Sequence, residues 1–186
     1  MVITGSKDST IKIWAPEKGG SGNVPRYAFV QHLKEGHSEQ VRLISITPDG
    51  ERFVTSSDDK KLIVWVRNER QGDAQPSYHR FQELKGHGEH IPCVAMTPDG
   101  ETIVSGSRNR ELIIWVRGST KKGDQSLYEI LQVFKDSHND TVEKVSLTAD
   151  GRIIATGSSE SSSKRIKGNK NLSTPAFRSF EATQAQ

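Results

Sequence analysis

The chain has a single cysteine, Cys93, and so closes no internal disulfide. It has no apolar run near the roughly 20 residues that a membrane-spanning helix needs, and its opening, MVITGSKDST, lacks the basic start and long apolar stretch of a secretory signal. A reducing compartment is expected, the cytoplasm first and the nucleus second, with no membrane partner. Aromatic residues make up 6% and apolar residues 32% of the 186 positions, which is little for a packed domain. With 16 glycines and a Ser-rich stretch near the C-terminus, the composition fits one turn-rich body carrying a polar tail. Collagen and coiled coil are excluded.

Net charge is also scarce, at +3, and its position matters more than its size. Of 26 basic and 23 acidic residues, five and two fall in residues 159–186, which leaves 21 of each sign in residues 1–158. A nearly neutral body is a poor phosphate-tracking surface, so nucleic acid is not the expected partner. The basic stretch KRIKGNK allows a nuclear address, although short basic runs are mostly solvated.

What the chain does have is repetition, at a period of about 50 residues. TPDG at 47–50 recurs as TPDG at 97–100 and TADG at 148–151. GH at 36–37 recurs as GH at 86–87 and SH at 137–138, and Trp14, Trp65 and Trp115 keep the step. Residues 36–67 and 86–117 share 15 of 32 positions without a gap.

Each unit opens on a short strand, VRLISIT (41–47), IPCVAMT (91–97) or VEKVSLT (142–148), whose fifth position is small: Ser45, Ala95 and Ser146. Such residues are expected where a neighbouring sheet approaches closely. PDG or ADG then turns the chain into a second strand, RFVTSS, TIVSGS or RIIATGS. The third strands, TIKIW, KLIVW and ELIIW, are nearly continuous aliphatic runs and imply sheets buried on both faces. After long polar loops come outer strands at 26–33, 78–84 and 128–134. Four strands per unit with no helical period predict an all-β chain of radially repeated four-stranded sheets.

GH, then PDG, a Ser/Thr-rich strand and a terminal Trp resemble the WD40 repeat family of β-propellers, over residues 1 to about 160. The resemblance implies a hydrogen-bonded tetrad in each blade, made of a His, a second-strand Ser or Thr, a turn Asp and a third-strand Trp. It carries over as His37, Thr55, Asp59 and Trp65, and as His87, Ser105, Asn109 and Trp115 with Asn replacing Asp. Thr4, Asp8 and Trp14 supply part of an earlier set, and His138, Thr156 and Glu160 part of a later one, where Ile166 replaces Trp. The Asp that follows Trp in many repeats is absent, with Ala15, Val66 and Val116 in its place.

The expected organisation is a partial blade at 1–34 (strands b, c and d), full blades at 35–85 and 86–135, a partial blade at 136–160 (strands a and b) and a disordered polar tail at 161–186. Such a propeller is incomplete, since closure takes four to eight blades. The expectation is a fragment, or a chain that self-associates or is completed by further blades.

Ser, His and Asp recurring together suggest a hydrolase triad, but they recur in every unit, whereas an enzyme needs one activated nucleophile in one pocket, and no G-x-S-x-G elbow is present. His87, His90 and Cys93 have a spacing that suggests zinc, yet no fourth ligand stands near them. No catalytic residue, metal or cofactor is therefore assigned. Two functions follow from the resemblance: a non-catalytic protein-interaction scaffold, or alternatively a regulatory sensor propeller severed from a larger signalling enzyme such as a kinase or ATPase. The family's partner contacts fall on the rim of the d-to-a and b-to-c loops. Carried over, they are Gln40, Arg42 and Asp58; His90, Pro92 and Arg108; Thr141, Glu143 and Ser159; and Lys7. These mix charge signs, which implies a protein or peptide partner of mixed polarity, with Arg42 and Arg108 as anchors.

Overall fold

The computed structural model describes residues 1–17, 26–69, 75–118 and 127–158, and these hold thirteen strands and no helix. Ser159, Glu160, Ile166 and the expected tail at 161–186 lie outside the described residues. The strands form four antiparallel sheets in chain order. The first holds β1 (Val2–Gly5), β2 (Ile11–Pro16) and β3 (Tyr27–Leu33). The second holds β4 (Val41–Ile46), β5 (Arg52–Ser57), β6 (Lys61–Arg67) and β7 (Tyr78–Lys85). The third holds β8 (Cys93–Met96), β9 (Thr102–Gly106), β10 (Leu112–Arg117) and β11 (Tyr128–Phe134), and the fourth pairs β12 (Val142–Leu147) with β13 (Ile154–Ser158). Among the described residues the fold is all-β, with two complete and two partial blades and no closed ring of sheets.

The tight turns follow from TPDG chemistry. In the second sheet the Thr47 hydroxyl donates to Asp49 Oδ1 at 2.5 Å and accepts from Arg52 N at 3.1 Å, while Asp49 also receives Glu51 N at 2.9 Å. Thr97 with Asp99 and Thr148 with Asp150 repeat the arrangement. Gly50, Gly100 and Gly151 then take φ values of 69°, 69° and 66°, where an L side chain is strained. β8 begins two residues later than its sequence pattern suggests, because Pro92 has no N–H to give to a ladder.

The core lies between successive sheets. Ile11 and Ile13 of β2 meet Val41, Phe53, Ile63, Trp65 and Tyr78. Val54, Leu62, Val64 and Leu84 meet Ile91, Val94, Met96, Ile103, Ile113, Trp115 and Tyr128. Cys93, Val104, Leu112 and Ile114 meet Val142 and the partly buried Val145, Leu147 and Ile154. β6 and β10 are buried on both faces, as their unbroken apolar runs predict. β2 departs from that expectation and alternates, with Lys12 exposed, because no described sheet covers its outer face. The small fifth position also gains a cause: Ser45 Oγ reaches across the inner strands and accepts Met96 N at 3.0 Å.

Candidate functional site

Four polar side chains converge inside the second sheet. His37 lies before β4, Thr55 is on β5, Asp59 sits in the β5–β6 turn and Trp65 is on β6. His37 Nδ1 is 2.9 Å from Asp59 Oδ2, and Nε2 is 2.8 Å from Thr55 Oγ1. Trp65 Nε1 donates to the same hydroxyl at 3.0 Å. One tautomer satisfies every group. An ionised Asp59 only accepts, so His37 carries its proton on Nδ1, Thr55 donates to the bare Nε2, and the indole N–H fills a Thr55 lone pair. Burial pushes the Asp59 carboxyl up, but the hydrogen bond from His37, with those from the Ser38 and Lys61 N–H groups, holds it below its ordinary value.

The third sheet keeps only part of this set. His87 Nε2 is 2.7 Å from Ser105 Oγ, and Trp115 Nε1 donates to Ser105 at 2.9 Å. Asn109 does not join them. Its Nδ2 donates to Glu111 Oε2 at 2.6 Å, and buried His87 Nδ1 and Asn109 Oδ1 are both without partners. The cause is chemical: the Asn amide carries a donor that a carboxylate lacks, and Glu111 stands where the second sheet has Lys61. In the fourth sheet His138 Nε2 is 2.8 Å from Thr156 Oγ1. In the first sheet Thr4, Asp8 and Trp14 do not meet. Thr4 donates to the Lys12 carbonyl at 3.4 Å, Asp8 accepts the Thr10 N–H and hydroxyl at 3.0 and 2.7 Å, and Trp14 packs edge-on against Phe29. Asp8 keeps a local role shared with Asp59, since each caps a turn whose next residue, Ser9 or Lys60, has φ of 68°.

At the rim, Asp58 is the meeting point. Arg42 grips it with both ends of its fork, Nε to Oδ1 at 2.7 Å and Nη2 to Oδ2 at 2.5 Å. His90 Nδ1, from the next repeat, lies 3.4 Å from Asp58 Oδ1. Arg42 first, with His90 and Arg108 adding their charge, holds the Asp58 carboxyl below its usual range. Arg108 itself is exposed. The carbonyls of Gln40 and His90 accept Asp58 N at 3.1 Å and Arg108 N at 3.0 Å, which fixes both b-to-c turns against the preceding loops. Lys7 and Glu143 are exposed, and Pro92 and Thr141 half-buried. No bond among the described residues links these four to Asp58.

These units match a known repeat: the family model for the WD domain, G-beta repeat, aligns with residues 1–15, 28–66 and 79–116. The chain belongs to the WD40 repeat family. WD40 repeats are generally protein-interaction scaffolds and not catalysts. The buried geometry agrees with that general character. Thr55 and Ser105 are 0% exposed and each hydroxyl is already engaged by both a histidine and an indole, so no substrate carbonyl reaches it. Cys93 is likewise withdrawn, its thiol bonded to the Val142 carbonyl at 3.1 Å and pushed up by burial to about 12.

The unfinished set in the third sheet is expected to make folding sensitive to acid. Burial pushes His87 down to about 4, against an ordinary value near 6.5. Between those values the unfolded chain takes up a proton that the folded chain refuses, so stability is full above about pH 6.5 and falls as pH drops toward 4. His138, pushed down by burial, acts in the same direction. Chemical denaturation at steps from pH 7 to 4.5 is expected to give a proton-uptake slope approaching one or more. The double change Asn109→Asp plus Glu111→Lys, which rebuilds the second sheet's partners around His87, should flatten it, and an unchanged slope would show that His87 is not its source.

One feature of these sheets escaped the sequence reading. Gln31 Nε2 donates to the Tyr78 carbonyl and its Oε1 accepts Tyr78 N, both at 2.8 Å. Gln82 clasps Tyr128 in the same way at 2.9 and 2.7 Å. Gln31, Gln82 and Gln132 keep the 50-residue step, and that periodicity was the available signal.

Proposed function

We propose that this chain is a non-catalytic interaction scaffold and that a protein or peptide partner docks on the rim around Arg42, Asp58, His90 and Arg108. The observation that carries this reading is the Arg42–Asp58 fork with His90 reaching it from the next repeat. A carboxylate gripped by the Arg42 fork and approached by His90 is pre-organised, so binding there loses little side-chain entropy. Arg108, exposed and bonded by its side chain to no described residue, offers a guanidinium suited to a partner carboxylate or backbone carbonyl, while the exposed Glu143 suits a basic or amide donor. The partner is accordingly of mixed polarity, and neither nucleic acid nor a membrane is proposed. Because the described sheets form no closed ring, the scaffold reading includes completion by self-association or further blades.

The test is capture of the partner from the source cells with the full chain, followed by substitution. Arg42→Ala plus Arg108→Ala should release the partner, while Asn68→Glu, in the c-to-d loop at the far end of the sheet, should leave it bound. The reverse pattern overturns the proposed face.

A further inference from the structure

The glutamine clasp repeats between neighbouring sheets and leaves one unmatched member at each end of the series. Gln31 of the first sheet holds the Tyr78 backbone of the second, and Gln82 of the second holds Tyr128 of the third. Gln132 on β11, paired with Ile114, is the next glutamine, and its amide has no partner among the described residues. Tyr27 on β3 is the preceding tyrosine. It is 43% exposed, whereas Tyr78 and Tyr128 are buried. Phe29 and Val2 beside it are exposed as well, although Phe53 and Ile103, which stand in the column of Val2, are fully buried.

Three further half-sites fit the same pairing. His138 and Thr156 form their bond with no indole among the described residues of their sheet, while Trp14 Nε1 has no acceptor among the described residues. A Cβ on Gly5 or Gly106 would strike Val41 or Val142 of the following sheet at 2.6 or 2.5 Å. Gly157, in the same column, meets only Lys144 at 3.5 Å. Among the described residues the third core cluster has no counterpart of the third- and fourth-strand residues Ile113, Trp115 and Tyr128 that complete the second.

We infer that two copies of this chain close one ring, each laying the outer face of its first sheet on the β11 and β13 side of the other. In each shared blade β12 and β13 come from one copy and β2 and β3 from its partner. Gln132 then clasps the partner's Tyr27 backbone, the partner's Trp14 donates to Thr156, and the partner's Val41 sits over Gly157. The second-strand position is offered twice, by β13 and by β1, and β1 is the strand that leaves. β1 is four residues long with little burial and has no histidine for Thr4, whereas Thr156 is already held by His138. Two full blades per copy and two shared blades make a six-bladed ring, within the range of about four to eight at which propellers close. A second copy is the occupant favoured here because each half-site at one end has its complement at the other, in the geometry of the two internal contacts. Lys12 opposes closure, since it stands in the column of the buried Ile63 and Ile113.

This inference deepens the open-scaffold reading and is independent of the rim face. It is tested by light scattering and native mass spectrometry on the full 186-residue chain. The expected species is a dimer, twice the 20.6 kDa chain. Gln132→Ala should raise its dissociation constant about 10-fold or more, because each ring contains two clasps. Tyr27→Pro, which removes the N–H that Gln132 accepts, should do the same, Gly157→Val should block assembly, and Lys12→Ile should tighten it. Gln82→Ala removes an internal clasp and should leave the mass unchanged, as should Arg42→Ala plus Arg108→Ala. A monomeric wild-type chain, an open series of larger species, or a dimer indifferent to Gln132→Ala, Tyr27→Pro and Gly157→Val overturns it. None of those results bears on the rim.

Discussion

Trp115→Ala is expected to destabilise the chain by about 3–5 kcal/mol, a large part of the roughly 5–15 kcal/mol that a domain has. Trp115 is 2% exposed and lies in the cluster where Val54, Leu62, Val64 and Leu84 of the second sheet meet the third. Its ring edge is also the floor on which Gly86 rests: a Cβ there would come within 2.9 Å of Cη2. Truncation opens a cavity between two sheets and leaves Ser105 without its indole donor. Trp115→Phe separates the two effects, since it keeps most of the volume and loses only the N–H, and should cost about 1–3 kcal/mol. Urea denaturation of the two variants reads the difference. An alanine variant within about 1 kcal/mol of wild type would mean that this ring does not hold the sheets together.

Gly106→Val is expected to be similarly damaging for the opposite reason. A Cβ at this position would lie 2.5 Å from Val142 Cγ1 and 2.7 Å from both Cys93 Sγ and Val142 Cβ. These atoms belong to the inner strands of two successive sheets, which cannot separate without breaking the Val142 N to Ser107 O bond, 3.2 Å, that joins them. Overpacking at such a seam costs about 1–3 kcal/mol, and valine falls at or above the top of that range. Thermal melting of Gly106→Ala and Gly106→Val should show a graded loss. Equal melting of all three would place more room between the sheets than the geometry gives.

Most of the fold was legible because it is written more than once. Thr47, Asp49 and Gly50 recur as a set, so their turn could be read from spacing, and the paired strands begin and end within about two residues of the apolar runs. The aliphatic runs of β6 and β10 declared two covered faces for the same reason. β2 carries a similar run yet alternates in burial, because burial is set by the neighbouring sheet and not by the strand itself.

The site was legible where a residue acts inside its own repeat. His37, Thr55 and Trp65 are 10 to 28 residues apart, within one hairpin and its lead-in. Asn109 could not be judged, since its shape matches Asp while its donor turns it to Glu111, two residues away. Contacts between repeats were harder still. His90 meets Asp58 only after two sheets stack, and although Arg42 and Asp58 belong to one sheet, nothing in their identities marks the pair as a fork. Arg42 therefore has two roles, because removing it leaves the largely buried Asp58 carboxylate without its main partner and lowers stability as well as altering the rim. Arg108 carries no such burden, since it is exposed and its side chain bonds to no described residue.

Arg108→Glu is thus the cleanest probe of the rim. The decisive measurement is an affinity titration of the captured partner against the wild-type chain and this single variant, with melting of both recorded alongside. A rise in Kd of about 10-fold or more at unchanged melting temperature is the predicted result, as reversal of an anchoring charge at an interface requires. Equal affinity for the two chains, with binding lost instead on Asn68→Glu at the far end of the sheet, would contradict it.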